Sequence, residues 1–191
     1  MVIFVTPLLS LKVKRILSTT CLNIYLLLWI SLTQILSKMV KSIGFDCNNP
    51  LNIRFSPMNK WLGQVDSKKG FCVFDTLEHG FRAALVLLCN YQRKGYDTIS
   101  KIVSHWAPET ENDTQAYIRH CCHRLGYLTP SDVWCDFDPH VRIVDFDILC
   151  ELSAAMCKME IGIDPLLSVP SFIHDAFKNA CKNYKYPHLK Q

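Results

Sequence analysis

The chain has 191 residues, 49% hydrophobic and 20% charged, with a formal net charge of +4. That is enough for one domain of ordinary size with a real core. The positive balance sits at one end. Residues 1–38 hold Lys12, Lys14, Arg15 and Lys38 and no acid, and the rest carries 17 basic against 17 acidic residues. A domain this close to neutral argues against nucleic acid as a partner, because phosphate binding needs a basic face.

The first element is an apolar run, Ile16 to Leu36, interrupted only by Ser, Thr, Asn and Gln. Its length matches the roughly 20 residues that cross a bilayer as a helix. Lys12, Lys14 and Arg15 ahead of it would leave the N-terminus in the cytoplasm, giving a single inner-membrane anchor. No small-x-small cleavage site follows, but an export signal fits as well. A third reading is that translation starts at Met39, with the apolar stretch upstream of the true protein. A membrane partner is expected only if residues 16–36 are translated. Either way the organisation is a leader over 1–38 and one domain over 39–191.

Within the domain, Asn52-Ile53-Arg54-Phe55 and Phe71-Cys72-Val73-Phe74 are short strand candidates, with Ser67-Lys68-Lys69-Gly70 as a turn between them. Thr76 is a helix N-cap, and Phe81, Ala84, Leu85, Leu88 and Tyr91 recur at helical spacing up to a stop at Gly95. Asp97 opens a shorter helix through Ile99, Ile102, Val103 and Trp106, ended by Pro108. Asn112 or Asp113 caps the next, which carries Tyr117, Ile118, Cys121 and Leu125 and stops at Gly126. Residues 127–144 read as irregular. Asp145 or Asp147 begins a helix through Leu149, Leu152, Met156 and Met159 that stops at Gly162. A last helix follows Pro170, whose fixed φ suits a first turn. The fold class is α+β: a small strand region, then about five helices around one core.

Ten cysteines are present without a Cys-x-x-Cys pair. In His120-Cys121-Cys122-His123 four adjacent helical side chains point around the axis, which does not make a zinc site. The cysteines therefore read as free thiols in a reducing compartment, or as partly paired if the protein is exported to an oxidising one. There is no glycine-rich phosphate loop, His-Glu-x-x-His helix or Ser-His-Asp order. No cofactor and no metal is expected.

The residue types best suited to chemistry are a carboxylate and a set of sugar-compatible polar and aromatic groups. Glu160 lies near a helix end between Met159 and Ile161. A carboxyl group kept in apolar surroundings holds its proton and can act as a general acid, the group that glycosidic cleavage requires. Glu109, Glu111 and Asp113 form a second acidic group, better placed as caps and first-turn acids. Trp61, Trp106 and Tyr117 offer rings for stacking on sugars. Asn49, Asn52, Gln64 and Asn112 offer amides, and Arg54 offers a partner for a carboxylate. Asn-Pro, Leu-Gly and Ala-Pro steps among them fix backbone shapes that a generic core does not need.

The run Asn48-Asn49-Pro50-Leu51-Asn52-Ile53-Arg54, then Trp61-Leu62-Gly63-Gln64, Phe71-x-x-Phe74, Gly80-Phe81-Arg82-Ala83, Tyr91, Trp106-Ala107-Pro108, Glu111-Asn112-Asp113-Thr114 and Tyr117 resembles a phage and prophage family of structural, or virion, proteins. The resemblance covers about residues 40–180. It implies a location in the virion, or in the bacterial cytoplasm before release, with other virion proteins as partners. A second resemblance is to lysozyme-like peptidoglycan hydrolases. The Asn-x-x-x-Ile, Trp-Leu-Gly and aromatic-strand order is similar to bacterial glucosaminidases. Met159-Glu160-Ile161-Gly162-Ile163-Asp164-Pro165 with Ser168 is similar to the segment around the acid of lytic transglycosylases, in permuted order and with Ile161 where that family has serine. This resemblance implies a lysozyme-like domain, peptidoglycan as substrate, Glu160 as acid and the Asn48–Gln64 region as a sugar groove.

Overall fold

The computed structural model describes residues 24–30, 42–126, 136–167 and 169–184. The chain divides into two compact units, Met1–Val40 and Lys41–Gln191. In the first, residues 24–30 are helical and exposed; the remainder of the apolar run lies outside the described residues. No helix among the described residues is long and apolar enough to cross a membrane.

The second unit runs α1 (Ile43–Asp46), β1 (Gln64–Lys68), β2 (Phe71–Phe74), α2 (Leu77–Arg93), α3 (Ile99–Trp106), α4 (Thr114–Leu125), α5 (Phe146–Ile161) and α6 (Ser171–Asn183). It is helix-rich α+β with one two-stranded antiparallel sheet.

The sheet corrects one expected element. The partner of Phe71–Phe74 is Gln64–Lys68, paired Lys68 to Phe71 and Ser67 to Cys72, with an irregularity between Gln64 and Asp66. The expected strand at 52–55 contributes only an isolated bridge from Arg54 to Phe71. Lys69 and Gly70, both at positive φ, make the two-residue turn, the backbone that matches the twist of paired strands. β1 carries no alternation to announce it. Four of its five residues are exposed, whereas β2 buries Cys72 and Phe74.

Helix starts follow side-chain capping. Thr76, Asp113 and Asp145 accept hydrogen bonds from the backbone N–H groups of His79, Ala116 and Asp147. At α3 the cap is Thr98, which accepts from the Lys101 N–H, and not Asp97. The Asp97 carboxylate instead binds Lys101 and Arg142. α5 ends at Gly162 in the left-handed conformation, which glycine adopts without a steric penalty.

α5 is the central helix. Leu149, Leu152, Ala154, Ala155, Met156 and Cys157 are buried around its whole circumference, as expected for a helix surrounded by protein. α4 packs on α5 and α3, and α6 packs on α2, where Phe81 and Phe177 meet edge to face at 5.1 Å. Eight cysteines fall among the described residues; all are free, and seven are buried. The C-terminal end of α5 emerges from this core beside the loop that precedes the sheet.

Candidate functional site

Glu160 is the penultimate residue of α5, and its carboxylate is held by three side chains from three other parts of the chain. Trp106 Nε1, at the end of α3, donates to Oε1 at 2.9 Å. The Tyr117 hydroxyl, on α4, donates to the same oxygen at 3.1 Å. Asn52 Nδ2 donates to Oε2 at 3.0 Å and to the Glu160 backbone carbonyl at 3.3 Å. The sequence neighbours Met159 and Ile161 suggested apolar surroundings, but the fold supplies donors instead. These donors suit an acceptor-only carboxylate. Oε1 takes two of them and Oε2 takes one, so Oε2 is the oxygen with more acceptor capacity left.

The Asn52 position is constructed by its own loop. Asn49 is fully buried. Its Nδ2 donates to the Ile53 and Cys72 carbonyls at 2.9 and 3.0 Å, and its Oδ1 accepts from the Ile53 N–H at 2.8 Å. The turn that results leaves Asn52 at a φ of 50°, a conformation asparagine tolerates better than most residues. Gly44 makes room for it, since a Cβ there would collide with Asn52 Oδ1 and lie 2.8 Å from Ile161 Cγ2. The shape-specifying Asn-Asn-Pro-Leu-Asn run therefore does its work inside the fold, aiming one amide at Glu160.

Around this carboxylate lies a pocket of about 660 Å3. One wall comes from Asn52, Arg54, Asn59, Trp61 and Phe71, and the other from Tyr91, His105, Trp106, Pro108 and Asn112, with Glu160 between them. Across it, Arg54 Nη2 meets Glu111 Oε2 at 2.6 Å. Behind the second wall is an aromatic stack: Tyr96 lies flat on His105 at 4.3 Å, and Tyr91 meets His105 edge-on at 4.6 Å. Burial, and then the neighbouring Tyr96, push the Tyr91 hydroxyl above its ordinary pKa.

Of the residues expected at a binding groove, Asn52, Arg54, Trp61, Trp106 and Asn112 line the pocket together with Glu160, whereas Asn49, Gln64 and Tyr117 do not. Asn49 is enclosed as described. Gln64 pairs with Phe74 in the sheet. Tyr117 is buried beneath the site, and burial first, then the Glu160 charge, raise its pKa far above the ordinary tyrosine range, so it stays a donor. His105 and Asn59 belong to the lining and escaped the sequence reading. His105 is one turn of α3 away from Ile102 on the apolar side, a position from which a histidine reads as packing. The His120–His123 run is scattered as expected from its spacing. Cys121 and Cys122 are buried, while His123 faces Asp136 at 3.0 Å on the surface. Among the described residues no group of three or more His, Cys, Asp or Glu could hold a metal ion.

No family model matches the chain. It is 39% identical over 127 residues to Protein P5 of Pseudoalteromonas phage PM2, an alignment covering 64% of this chain and 72% of that protein. The chain belongs to the family of that phage protein. At this identity the two share a fold, and the family origin is phage.

Proposed function

We propose that the chain is a phage-derived, virion-associated protein that engages peptidoglycan and cleaves its glycan strands, with Glu160 as the general acid. The observation that carries this reading is the placement of Glu160 in a pocket lined by indoles and amides. Indole faces pack against the C–H faces of sugar rings, and amides bond their hydroxyl and acetamido groups. Glycan cleavage needs one carboxyl within reach of the scissile oxygen. For this mechanism Oε2 has to take up a proton, which then passes to the glycosidic oxygen as the C1–O bond breaks. The oxocarbenium ion is trapped by water or by a hydroxyl of the same sugar, which returns a proton to the carboxylate. Trp106 and Tyr117 hold Oε1 throughout. Glu111 is the other carboxylate on the lining and is occupied by Arg54, which favours chemistry that uses a single acid.

A second reading is a structural or glycan-binding virion protein without catalysis. It is favoured by the three donors on Glu160, which make it an internal anchor. The two separate cleanly. The full chain, as wild type and as Glu160→Gln, is incubated with purified peptidoglycan, and released muropeptides are identified by mass spectrometry. Release by wild type alone is expected, and anhydro or reducing product ends then distinguish intramolecular from water trapping. No release from several wall types by a folded wild-type chain refutes the enzyme reading and leaves the binding one.

A further inference from the structure

We infer that Arg54 is the carboxylate-recognising group of this pocket, so that the glycan it takes is anionic and not a neutral polymer of acetylated amino sugars. The inference rests on the pocket being a glycan site, and it names the chemical class of that glycan. Among the described residues Arg54 is the only lysine or arginine on the lining, which also carries two carboxylates, Glu111 and Glu160. A substrate carboxylate entering the pocket would be repelled by these two carboxylates and attracted by this guanidinium. Its backbone is fixed by the bridge to Phe71, and the Arg54 carbonyl accepts from the Cys72 thiol. The side chain remains 74% exposed, with Glu111 at 53%. Only Nη2 is engaged, by one oxygen of Glu111, which leaves most of the five guanidinium donors open. Arginine binds carboxylates best through two parallel N–H donors. A single exposed contact of this kind contributes little to the fold. It does keep the cation from wandering, and it gives way to a better-matched carboxylate.

Two carboxylate sources exist on peptidoglycan: the lactyl carboxyl of a sugar that carries no peptide, and the stem peptide where one is attached. Binding to the full chain is measured calorimetrically with three tetrasaccharides: a neutral oligomer of N-acetylglucosamine, a muramyl-containing strand without peptides, and the same strand with stem peptides. One carboxylate-bearing strand should bind about tenfold tighter than the neutral oligomer, the ratio expected for a charge-assisted pair of roughly 1.4 kcal/mol. Which of the two it is identifies the source. Arg54→Gln should bring all three ligands to parity, and Glu111→Gln, by freeing the guanidinium, should widen the ratio. Equal binding of neutral and anionic strands by wild type, or a preference that survives Arg54→Gln, overturns the inference and leaves the glycan reading intact. Binding of none of the three overturns the glycan reading, and this inference with it.

Discussion

Replacing Asn49 by alanine tests whether the polar motif at the start of the domain is a structural device. The side chain is completely buried and makes three hydrogen bonds to backbone groups. After truncation the Ile53 carbonyl keeps the Cys72 N–H at 2.9 Å, but the Ile53 N–H and the Cys72 carbonyl both lose a partner in a place water does not reach. An orphaned buried polar group costs about 1–3 kcal/mol, so two of them, with the small void, amount to roughly 3–5 kcal/mol. Against a total stability of about 5–15 kcal/mol for a domain, that is a large share. Equilibrium urea unfolding followed by circular dichroism should show the midpoint falling by about 2 M, for a slope near 2 kcal/mol per M. Asn49→Asp, nearly isosteric, should be no milder. It keeps an acceptor for Ile53 but turns a second oxygen toward two carbonyls. A loss below about 1 kcal/mol with an unchanged slope, or a benign aspartate, would refute the argument that these three bonds shape the Asn49–Arg54 turn.

Two further outcomes follow from the same structure. Gly80 lies on α2 where a Cβ would run into the Asn48 carbonyl oxygen and sit 2.8 Å from Pro50 Cδ; because the obstacle is backbone, the gain of about 1 kcal/mol in helix propensity is outweighed, and Gly80→Ala should lower the melting temperature. The buried thiols predict alkaline sensitivity: burial raises Cys47, Cys72, Cys121 and Cys157, pushes Cys89 up to about 12 and Cys122 up to about 11, and Cys150 is raised by its hydrogen bond with the Cys181 thiol and by burial. With folded pKa values above unfolded ones near 8.5, the unfolded chain releases protons first, so stability is complete below about pH 8.5 and falls as pH rises beyond it. Urea midpoints from pH 7 to 10 under reducing conditions should decline, and Cys121→Ala should flatten the decline; a midpoint that holds steady to pH 10 contradicts the assignment.

Most of the longer helices were legible in the sequence because they are written twice, once in an apolar stripe and once in their ends. Thr76, Asp113 and Asp145 both look like caps and act as caps, and Gly162 both looks like a stop and takes the left-handed conformation. The hairpin was half legible. β2 alternates buried and partly buried residues, whereas β1 faces solvent and leaves no hydrophobic pattern, so its pairing is set by the Lys69-Gly70 turn and the backbone alone. The helix start expected at Asp97 lies off the observed cap, Thr98, for a related reason. Both residues can cap, and only the tertiary pull of Arg142 and Lys101 decides which one is free to do so.

Several of the residues singled out in the sequence line the pocket, but the contacts among them were not legible. Glu160 stood out by type and context, and Asn52, Trp106 and Tyr117 stood out as residues too specific for a generic core. They are brought together, but all three point at Glu160 itself. Sequence separations of 108, 54 and 43 residues hide that convergence from any local pattern. The consequence reaches the chemistry. An acid kept protonated by apolar surroundings would be set by its immediate neighbours alone. This carboxylate is set by three distant donors, one of which, Asn52, exists in its orientation only because Asn49 bonds the loop and Gly44 leaves space. Whatever Glu160 does, its geometry is therefore a property of the whole fold, and damage to the loop before the sheet reaches the pocket by moving the one donor bonded to Oε2.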